Sequence, residues 1–183
     1  GGKPDIYHTC DVSFMKGVEQ QFNQPSEISK TDIVIAVQKG NPFNIQSLKD
    51  LGARKIQIGI CNEDQSTLGH MTAALLRKQG LYAYIAQNVV VNTPTADLLV
   101  SQLTVGQLDA AIVYRANTTF IKDKVDIISL NLQGATATQT IAIAQQTEFP
   151  RLLKRLEDSL RADQSKKRFL KSGFEWLPQS VAE

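Results

Sequence analysis

Two hydrophobic patterns alternate along the chain and predict alternating strands and helices. Apolar runs that are continuous, or that alternate with polar residues, predict β-strands at residues 4–9, 32–38, 55–60, 88–91, 108–114, 125–130 and 140–145. Apolar residues spaced three or four positions apart predict helices at residues 11–22, 47–52, 71–78, 95–107, 148–163 and 165–174. Strands that alternate with helices favour an α/β fold with mainly parallel sheets.

Capping and turn residues set the expected ends of these elements. Asp11 and Ser47 are expected to cap helices at their N-termini, because their side chains can accept hydrogen bonds from the first N–H groups. Gly52 and Gly80 are expected at helix C-termini. The turn KGNP, residues 39–42, is expected to close the strand 32–38.

Composition narrows the class of protein without identifying it. The 183 residues are 42% hydrophobic and 21% charged, as in an ordinary globular protein. The formal net charge of +2 gives no basis for a nucleic-acid partner. The sequence contains no apolar run of the roughly 18 residues that a transmembrane helix needs. The two cysteines, Cys10 and Cys61, allow either one disulfide or two buried thiols.

The sequence contains no familiar catalytic motif. A nucleophile elbow, a zinc-protease helix, a P-loop and a dinucleotide-binding glycine pattern are all missing, so we expect a protein that is not an enzyme and needs no cofactor or metal. One alternative is a Cys/His metal site, because His8 and Cys10 share a strand face while Cys61 and His70 flank a loop. A disulfide between Cys10 and Cys61 is a variant of this alternative.

Two loops that lead from strands into helices are rich in hydroxyl groups and free of Lys and Arg. They are DQSTLGH, residues 64–70, and NTPTAD, residues 92–97. Ligands of open α/β sheets bind beyond the carboxyl ends of strands, where helix N-termini offer unpaired N–H groups to an anion. The loops therefore predict a site that binds an anion through neutral dipoles. The alternative is that Ser66, Thr67, Thr93 and Thr95 only cap their helices.

Three longer segments carry a resemblance to a known family. They are PDIYHTCDVSFM (4–15), TDIVIAVQKGNPFNIQSLKDLGARKIQIGI (31–60) and VSQLTVGQLDAAIVYRAN (100–117). In this order and spacing, and with the ending RFLKSGF (168–174), the chain resembles the periplasmic molybdate/tungstate-binding proteins of ABC importers. These proteins have the type II periplasmic-binding fold.

The resemblance implies a fold and a function. It implies a two-lobed α/β fold in which residues 1–36 and 125–183 form an incomplete lobe one and residues 37–124 form lobe two. It also implies a periplasmic or extracellular solute-binding protein, expected to be a monomer. Such a protein captures a small oxyanion such as molybdate or tungstate and delivers it to the membrane subunits of an ABC importer.

The resemblance further implies a set of ligand-binding residues at two helix starts and one strand end: Ser66, Thr67, Leu68, Thr95, Ala96 and Tyr114. The backbone N–H of Leu68 matches the position that meets the oxyanion, and the hydroxyl of Tyr114 matches a ligand donor. For Tyr114 the alternative is a strand-end tyrosine whose hydroxyl faces water.

The chain also departs from the family pattern. The family has an opening stretch with serine loops, which this chain lacks before PDIYHTCD, and Cys10 stands where the family has a small residue. The loop after the strand 55–60 is longer than usual and contains Cys61, Glu63 and Asp64. Carboxylates beside an anion are unfavourable, so these acids either point away or indicate a different ligand.

Two rival functions follow from the same residues. Arg115, next to Tyr114, could bind a carboxylate or phosphate bidentately, which would suit a receptor for a carboxylate or a phosphorylated metabolite. The same fold also serves as the effector-sensing domain of cytoplasmic transcription regulators, for which a helix-turn-helix segment encoded upstream would be expected.

Overall fold

The computed structural model describes residues 3–53 and 55–178 and divides the chain into two compact units. Unit 1 comprises the residues up to 31 and those from 137 onwards, and unit 2 comprises Asp32–Thr136. The predicted lobes instead assigned residues 32–36 and 125–136 to the terminal lobe. In the structure these segments belong to unit 2, because the strands at 32–38 and 125–129 pair with each other in the same sheet as the strand 110–114.

The elements of the described residues alternate as the sequence predicts. The strands are β1 Ile6–Thr9, β2 Ser26–Gln38, β3 Ile58–Cys61, β4 Val89–Thr93, β5 Ala110–Tyr114, β6 Val125–Ser129, β7 Thr136–Ile143 and β8 Glu175–Trp176. The α-helices are α1 Leu48–Ala53, α2 Thr67–Lys78, α3 Tyr82–Ala86, α4 Ala96–Thr104, α5 Pro150–Arg161 and α6 Asp163–Lys171. Two 3₁₀ helices lie at Val12–Gly17 and Arg115–Thr118. None of the described helices is both long enough and apolar enough to cross a membrane.

Unit 2 is built on one mixed sheet with the strand order β4-β3-β5-β2-β6. Strand β3 pairs in parallel with β4 and with β5, whereas β2 is antiparallel to β5 and to β6. The α/β fold is confirmed. The sheet is mixed and not mainly parallel, because β2 runs against its neighbours on both sides.

The core of unit 2 fixes the helices that flank the sheet. The central strand residues are almost completely buried; they are Ile33, Val34, Ile35, Ala36, Val37, Ala110, Ala111, Ile112 and Val113. Their continuous apolar run is typical of a strand that is covered on both faces. Helix α2 contributes the buried residues Leu68, Leu75 and Leu76 to this core, and α4 contributes Leu99 and Leu103. Both helices are therefore held to the sheet by apolar burial.

Unit 1 combines an antiparallel ladder with the C-terminal helices. Strand β1 pairs with β7, β7 lies next to β2, and the short β8 pairs with Ser29 and Lys30 of β2. A small apolar cluster contains Met15, Phe22 and Ala142. Most of the charged residues of helices α5 and α6 are exposed.

Some of the expected elements differ in the structure. The helix predicted at 11–22 is a 3₁₀ helix over Val12–Gly17, because its backbone bonds run over three residues, as from Phe14 N–H to the Asp11 carbonyl. Asp11 does cap it, since the Asp11 carboxylate accepts from the Ser13 N–H at 3.0 Å. Ser47, expected as a cap, instead donates its hydroxyl to the Asp50 carboxylate at 2.9 Å.

Gly52 is expected to end α1, but it lies inside that helix. A Cβ at this position would come within 2.2 Å of the Tyr84 ring, so the glycine allows α1 and α3 to approach closely. Gly80 does end α2, with a positive φ of 68°.

Candidate functional site

The carboxyl ends of parallel strands bring the predicted site segments to one edge of the unit 2 sheet. Strand β3 ends at Cys61, β4 at Thr93 and β5 at Tyr114, and Cys61 and Thr93 are register partners. Helix α2 follows β3 and helix α4 follows β4. Because parallel strands end at the same edge, the N-termini of both helices also lie there.

The first turn of α2 lies against the end of β3. Ser66 occupies the N-cap position with an extended backbone, φ −139° and ψ 133°, but its side chain makes no capping hydrogen bond. A Cβ on Gly69 would lie 2.1 Å from the Asn62 carbonyl oxygen, so only glycine allows this close approach. The side chain of Leu68 is 2% exposed and anchors the turn in the core. The first N–H groups of a helix have no acceptor within it, so this uncapped start can offer them to an anion.

The start of α4 repeats this arrangement. Thr95 occupies the N-cap position with φ −136° and ψ 147°, and its side chain makes no capping hydrogen bond. The hydroxyl of Thr93 donates to the Thr95 carbonyl at 2.9 Å. Ala96 begins the helix, and Asp97 lies in its first turn, where it accepts from the Asn117 amide at 3.2 Å. The alternative that Ser66 and Thr95 only cap their helices is therefore not supported.

Cys61 is a buried thiol beside both helix starts. Burial raises the pKa of the Cys61 thiol, and the nearby Asp97 carboxylate raises it further, while hydrogen bonds with Ser66 and Thr93 act in the opposite direction. The side chain is 2% exposed. Cys61 is therefore a buried thiol that stays protonated at neutral pH, at the sheet edge where α2 and α4 start.

Tyr114 lies beside the second turn of α2. Its hydroxyl is 3.9 Å from the sulfur of Met71, which lies four residues beyond Thr67 on that helix. A thioether is a weak acceptor, so a stronger acceptor could replace it. The structure thus brings Tyr114 close to the helix start with which it is predicted to share a ligand.

Arg115 is engaged by neighbours within unit 2. Its Nη2 donates to the Ser129 hydroxyl at 2.9 Å, and its Nε is 3.6 Å from Asp32 Oδ2. The Thr136 hydroxyl donates to the other oxygen of Asp32 at 2.9 Å. A ligand that uses Arg115 would therefore have to compete with Asp32 and Ser129.

The acids of the long loop have partners of their own. The Arg77 guanidinium pairs with both carboxylate oxygens of Glu63, one at 2.8 Å, and lies 4.4 Å from the centre of the Tyr82 ring. The hydrogen bond from Arg77 lowers the pKa of Glu63 below its ordinary value. Asp64 is exposed, and its N–H donates to the Asn62 side chain at 2.9 Å. The charge of Glu63 is thus neutralised by a partner outside the loop.

The remaining cysteine and histidine candidates do not assemble a metal site. Cys10 is exposed in unit 1, Cys61 is buried in unit 2, and both are free thiols. Across residues 3–53 and 55–178, no group of three or more His, Cys, Asp or Glu side chains could hold a metal ion. The alternative of a Cys/His metal site built on His8, Cys10, Cys61 and His70 is therefore not supported.

Comparison with known proteins identifies the family. A family model described as bacterial extracellular solute-binding protein matches residues 1–175. The chain belongs to this family. A relative from Haemophilus influenzae strain Rd, named as a binding protein, is 26% identical over 141 residues. The match covers 77% of this chain and 58% of the relative, so the chain spans little more than half of that protein.

Solved structures of periplasmic binding proteins share the fold. The periplasmic molybdate-binding protein of Azotobacter vinelandii matches with a TM-score of 0.73 and 14% identity, over 98% of this chain and 80% of that chain. A periplasmic thiamin binding protein matches with a TM-score of 0.79 and 13% identity, over 99% and 68%. PEB3 with bound L-phospholactate matches with a TM-score of 0.69 and 18% identity, over 94% and 80%. At these identities the matches establish the fold and not the ligand.

The predicted site did not include two residues that the structure brings to this edge. Met71 contacts the Tyr114 hydroxyl, and Asp97 contributes negative charge at the start of α4. Helical spacing from Thr67 could have indicated Met71. Asp97 is visible within NTPTAD, but its effect on Cys61 depends on the pairing of β3 with β4, which no local pattern predicts.

Proposed function

We propose that this family member is an extracytoplasmic solute-binding protein that captures a small oxyanion and delivers it to the membrane subunits of an ABC importer. Molybdate and tungstate are the first candidates. The ligand would be held by the N–H groups at the starts of α2 and α4, including that of Leu68, together with hydroxyls of Ser66, Thr67, Thr95 and Tyr114.

One observation carries the proposal. The helices α2 and α4 both start at the same sheet edge, and neither N-cap side chain bonds to its own helix. The first N–H groups of a helix have no acceptor within that helix, and the helix dipole places about half a positive charge there, which is the usual protein environment for a small anion.

The charges around this edge also bear on the ligand. The loops 64–70 and 92–97 contain no Lys or Arg, Glu63 is paired with Arg77, and Arg115 is engaged by Asp32. An anion would therefore be bound through neutral N–H and O–H donors. The carboxylate of Asp97 opposes a doubly charged ligand, so singly charged anions belong in the same test.

Calorimetry tests the proposal directly. The purified protein is titrated with molybdate, tungstate, sulfate and phosphate, and with formate and nitrate as singly charged anions. We expect saturable binding of at least one oxyanion. Binding of none of them, together with clear binding of a sugar or an amino acid, would contradict the proposal.

A second candidate ligand is a carboxylate or a phosphorylated metabolite. Arg115 follows Tyr114 directly, and its 3.6 Å contact with Asp32 is long for an ion pair. The related fold of PEB3 was solved with L-phospholactate. Titration with L-phospholactate, before and after Arg115→Gln, separates the two candidates, because loss of the guanidinium should abolish binding of this ligand and leave binding of molybdate unchanged.

A further inference from the structure

We propose that Arg77 is a specificity-determining residue of the anion site. Its guanidinium neutralises the Glu63 carboxylate and holds it along helix α2, away from the N–H groups at the helix start, so that a loop containing this acid can still receive an anion. This inference rests on the proposed function and concerns the same sheet edge. No direct contact between Arg77 and the ligand is required.

The backbone of Glu63 lies next to the start of α2. The Ser66 N–H donates to the Asn62 carbonyl at 3.1 Å, which closes the turn that contains Glu63. The same carbonyl oxygen lies against the first turn of the helix, where it would be 2.1 Å from a Cβ on Gly69. Glu63 is therefore attached beside the positive end of the helix dipole, which attracts a carboxylate.

Arg77 draws the Glu63 carboxylate in the opposite direction. Arg77 lies in the last turn of α2, and the helix rise places it about 15 Å along the axis from Thr67. Its Nη2 donates to Glu63 Oε2 at 2.8 Å, and its Nη1 donates to Glu63 Oε1. Such a pair forms only if the two side chains extend towards each other along the helix. The carboxylate is therefore turned away from the helix start.

Tyr82 of helix α3 fixes the orientation of the guanidinium. The central carbon of the Arg77 guanidinium lies 4.4 Å from the centre of the Tyr82 ring, and the Tyr82 hydroxyl lies 3.5 Å from Glu63 Oε2. A guanidinium that stacks on an aromatic ring keeps its planar edge free for two parallel hydrogen bonds to a carboxylate. The charge of Glu63 is thus balanced at a defined place.

The exposure of the pair argues against stability as its main role. The Arg77 side chain is 52% exposed and the Glu63 side chain is 30% exposed, so water screens their attraction and the pair adds little to the free energy of unfolding. The pair has a larger effect on the charge of the loop. Residues 59–70 contain two acids and no Lys or Arg, so Arg77 supplies from outside the loop the positive charge that Glu63 needs.

Loss of Arg77 should turn Glu63 into an internal competitor of the ligand. A free carboxylate at this position can turn back towards the positive end of α2, where it repels an incoming anion. This repulsion increases with the charge of the ligand and decreases as salt is added. The two dependences distinguish an effect of charge from a loss of folded structure.

Arg77→Gln, Glu63→Gln and the double variant test the proposal. Each is titrated by calorimetry with molybdate and sulfate as doubly charged anions and with nitrate and formate as singly charged ones, at roughly 0.05 M and 0.5 M salt. We expect Arg77→Gln to weaken binding of a doubly charged anion roughly three- to twentyfold at low salt, and binding of a singly charged anion by roughly the square root of that factor. High salt should restore most of the loss.

The other two variants should respond differently. Glu63→Gln should bind the anion at least as tightly as the original protein, because the acid is gone and the guanidinium remains. The double variant should stay within about threefold of the original protein, because it loses both charges. If the pair were only a structural clamp, both single variants and the double variant would bind more weakly, to the same extent for both ligand charges and at both salt concentrations. That result would overturn the proposal.

Lys78→Gln is the matched control. Lys78 is the next residue of α2, and its ammonium donates to the Gln133 side chain at 3.1 Å. This variant removes one positive charge from the same helix turn and leaves the Glu63 pair intact. We expect it to change affinity by less than about twofold. Thermal melting without ligand is recorded for every variant, and an effect of Lys78→Gln equal to that of Arg77→Gln would also overturn the proposal.

The outcomes separate this inference from the proposed function. An original protein that binds none of these anions would refute the function, and with it the inference. An original protein that binds one of them, with Arg77→Gln binding equally well at low salt, would refute the inference alone.

Discussion

The hydroxyl of Tyr114 is the residue-scale feature that most directly links the structure to binding. Tyr114→Phe keeps the ring and removes only the hydroxyl, which lies 3.9 Å from the Met71 sulfur. A hydrogen bond to a charged ligand contributes about 1.5–3 kcal/mol, so we expect affinity for the bound anion to fall roughly ten- to a hundredfold. Calorimetry measures the affinity, and melting without ligand should be nearly unchanged.

Tyr84→Phe provides the control for this variant. Tyr84 belongs to α3, and it is 38% exposed, so its hydroxyl can be removed without affecting the sheet edge. Affinity should be unchanged in this control. An unchanged affinity in Tyr114→Phe itself would remove Tyr114 from the binding site.

The Cys61 thiol should make stability depend on alkaline pH. Burial raises the pKa of this thiol in the folded protein, while in the unfolded chain it should stay near its ordinary value of about 8.5. Above that value the unfolded chain loses the thiol proton first. The protonated Cys61 thiol therefore makes its full contribution to the free energy of unfolding below about pH 8.5. This contribution is lost as the pH rises through the raised pKa.

Denaturant unfolding across the alkaline range measures this effect. The free energy of unfolding should decline with rising pH, and the decline should be smaller in Cys61→Ser, whose hydroxyl does not titrate there. Cys10→Ser, which changes the exposed cysteine, should retain the full decline. Equal pH dependence in all three proteins would show that Cys61 does not contribute.

At the scale of one helix, Gly69 sets the position of the α2 N-terminus. Gly69→Ala would bring a Cβ within 2.1 Å of the Asn62 carbonyl oxygen and 2.7 Å of the Cys61 carbonyl oxygen. Backbone cannot yield as a side chain can, so α2 must shift away from β3. We expect a loss of about 1–3 kcal/mol in the free energy of unfolding, together with weaker anion binding.

Gly17→Ala is the matched control for this substitution. A Cβ at Gly17 meets no atom within 4 Å, and its φ is not positive, so the added methyl is tolerated. We expect its unfolding free energy to change by less than about 0.5 kcal/mol in denaturant titrations. A Gly69→Ala protein as stable as this control would contradict the close approach of α2 to β3.

Local patterns predict most elements, because the unit 2 strands are apolar and their helices are amphipathic. The strand 32–38 and the helices α2 and α4 all follow from such patterns. Local patterns do not predict the first half of β2, the short helix α3 or the two-residue β8. Their formation depends on partners distant in sequence, as in the pairing of Ser29 with Trp176.

The candidate site is predictable only in part for the same reason. Hydroxyl-rich loops and a strand end are local features, and they are sufficient to indicate Ser66, Thr95 and Tyr114. The sequence cannot show that Ser66 leaves its own helix uncapped, because a serine at this position with an extended backbone usually accepts from the first N–H groups of the helix. Nor can it show that Glu63 reaches Arg77, which lies 14 residues further along the chain.

At the scale of the whole molecule, the salt dependence of binding should distinguish the two rival ligand classes. The formal net charge is only +2, and the cation nearest to Tyr114 in sequence, Arg115, is engaged by Asp32 and Ser129. Anion binding through neutral N–H and O–H donors in a poorly hydrated site is weakly screened. We therefore expect affinity to change less than about threefold between roughly 0.05 M and 0.5 M salt.

The same salt series with Arg115→Gln decides between the two ligand classes. If neutral dipoles bind the ligand, the original protein and the variant should both show little salt dependence and similar affinities. If Arg115 leaves Asp32 to bind a carboxylate or a phosphate, affinity should fall steeply with salt in the original protein, and the variant should lose most of that slope. A steep salt dependence that persists in Arg115→Gln would contradict both ligand classes. It would require that the ligand is bound by a cation other than Arg115 that lies outside the two helix starts.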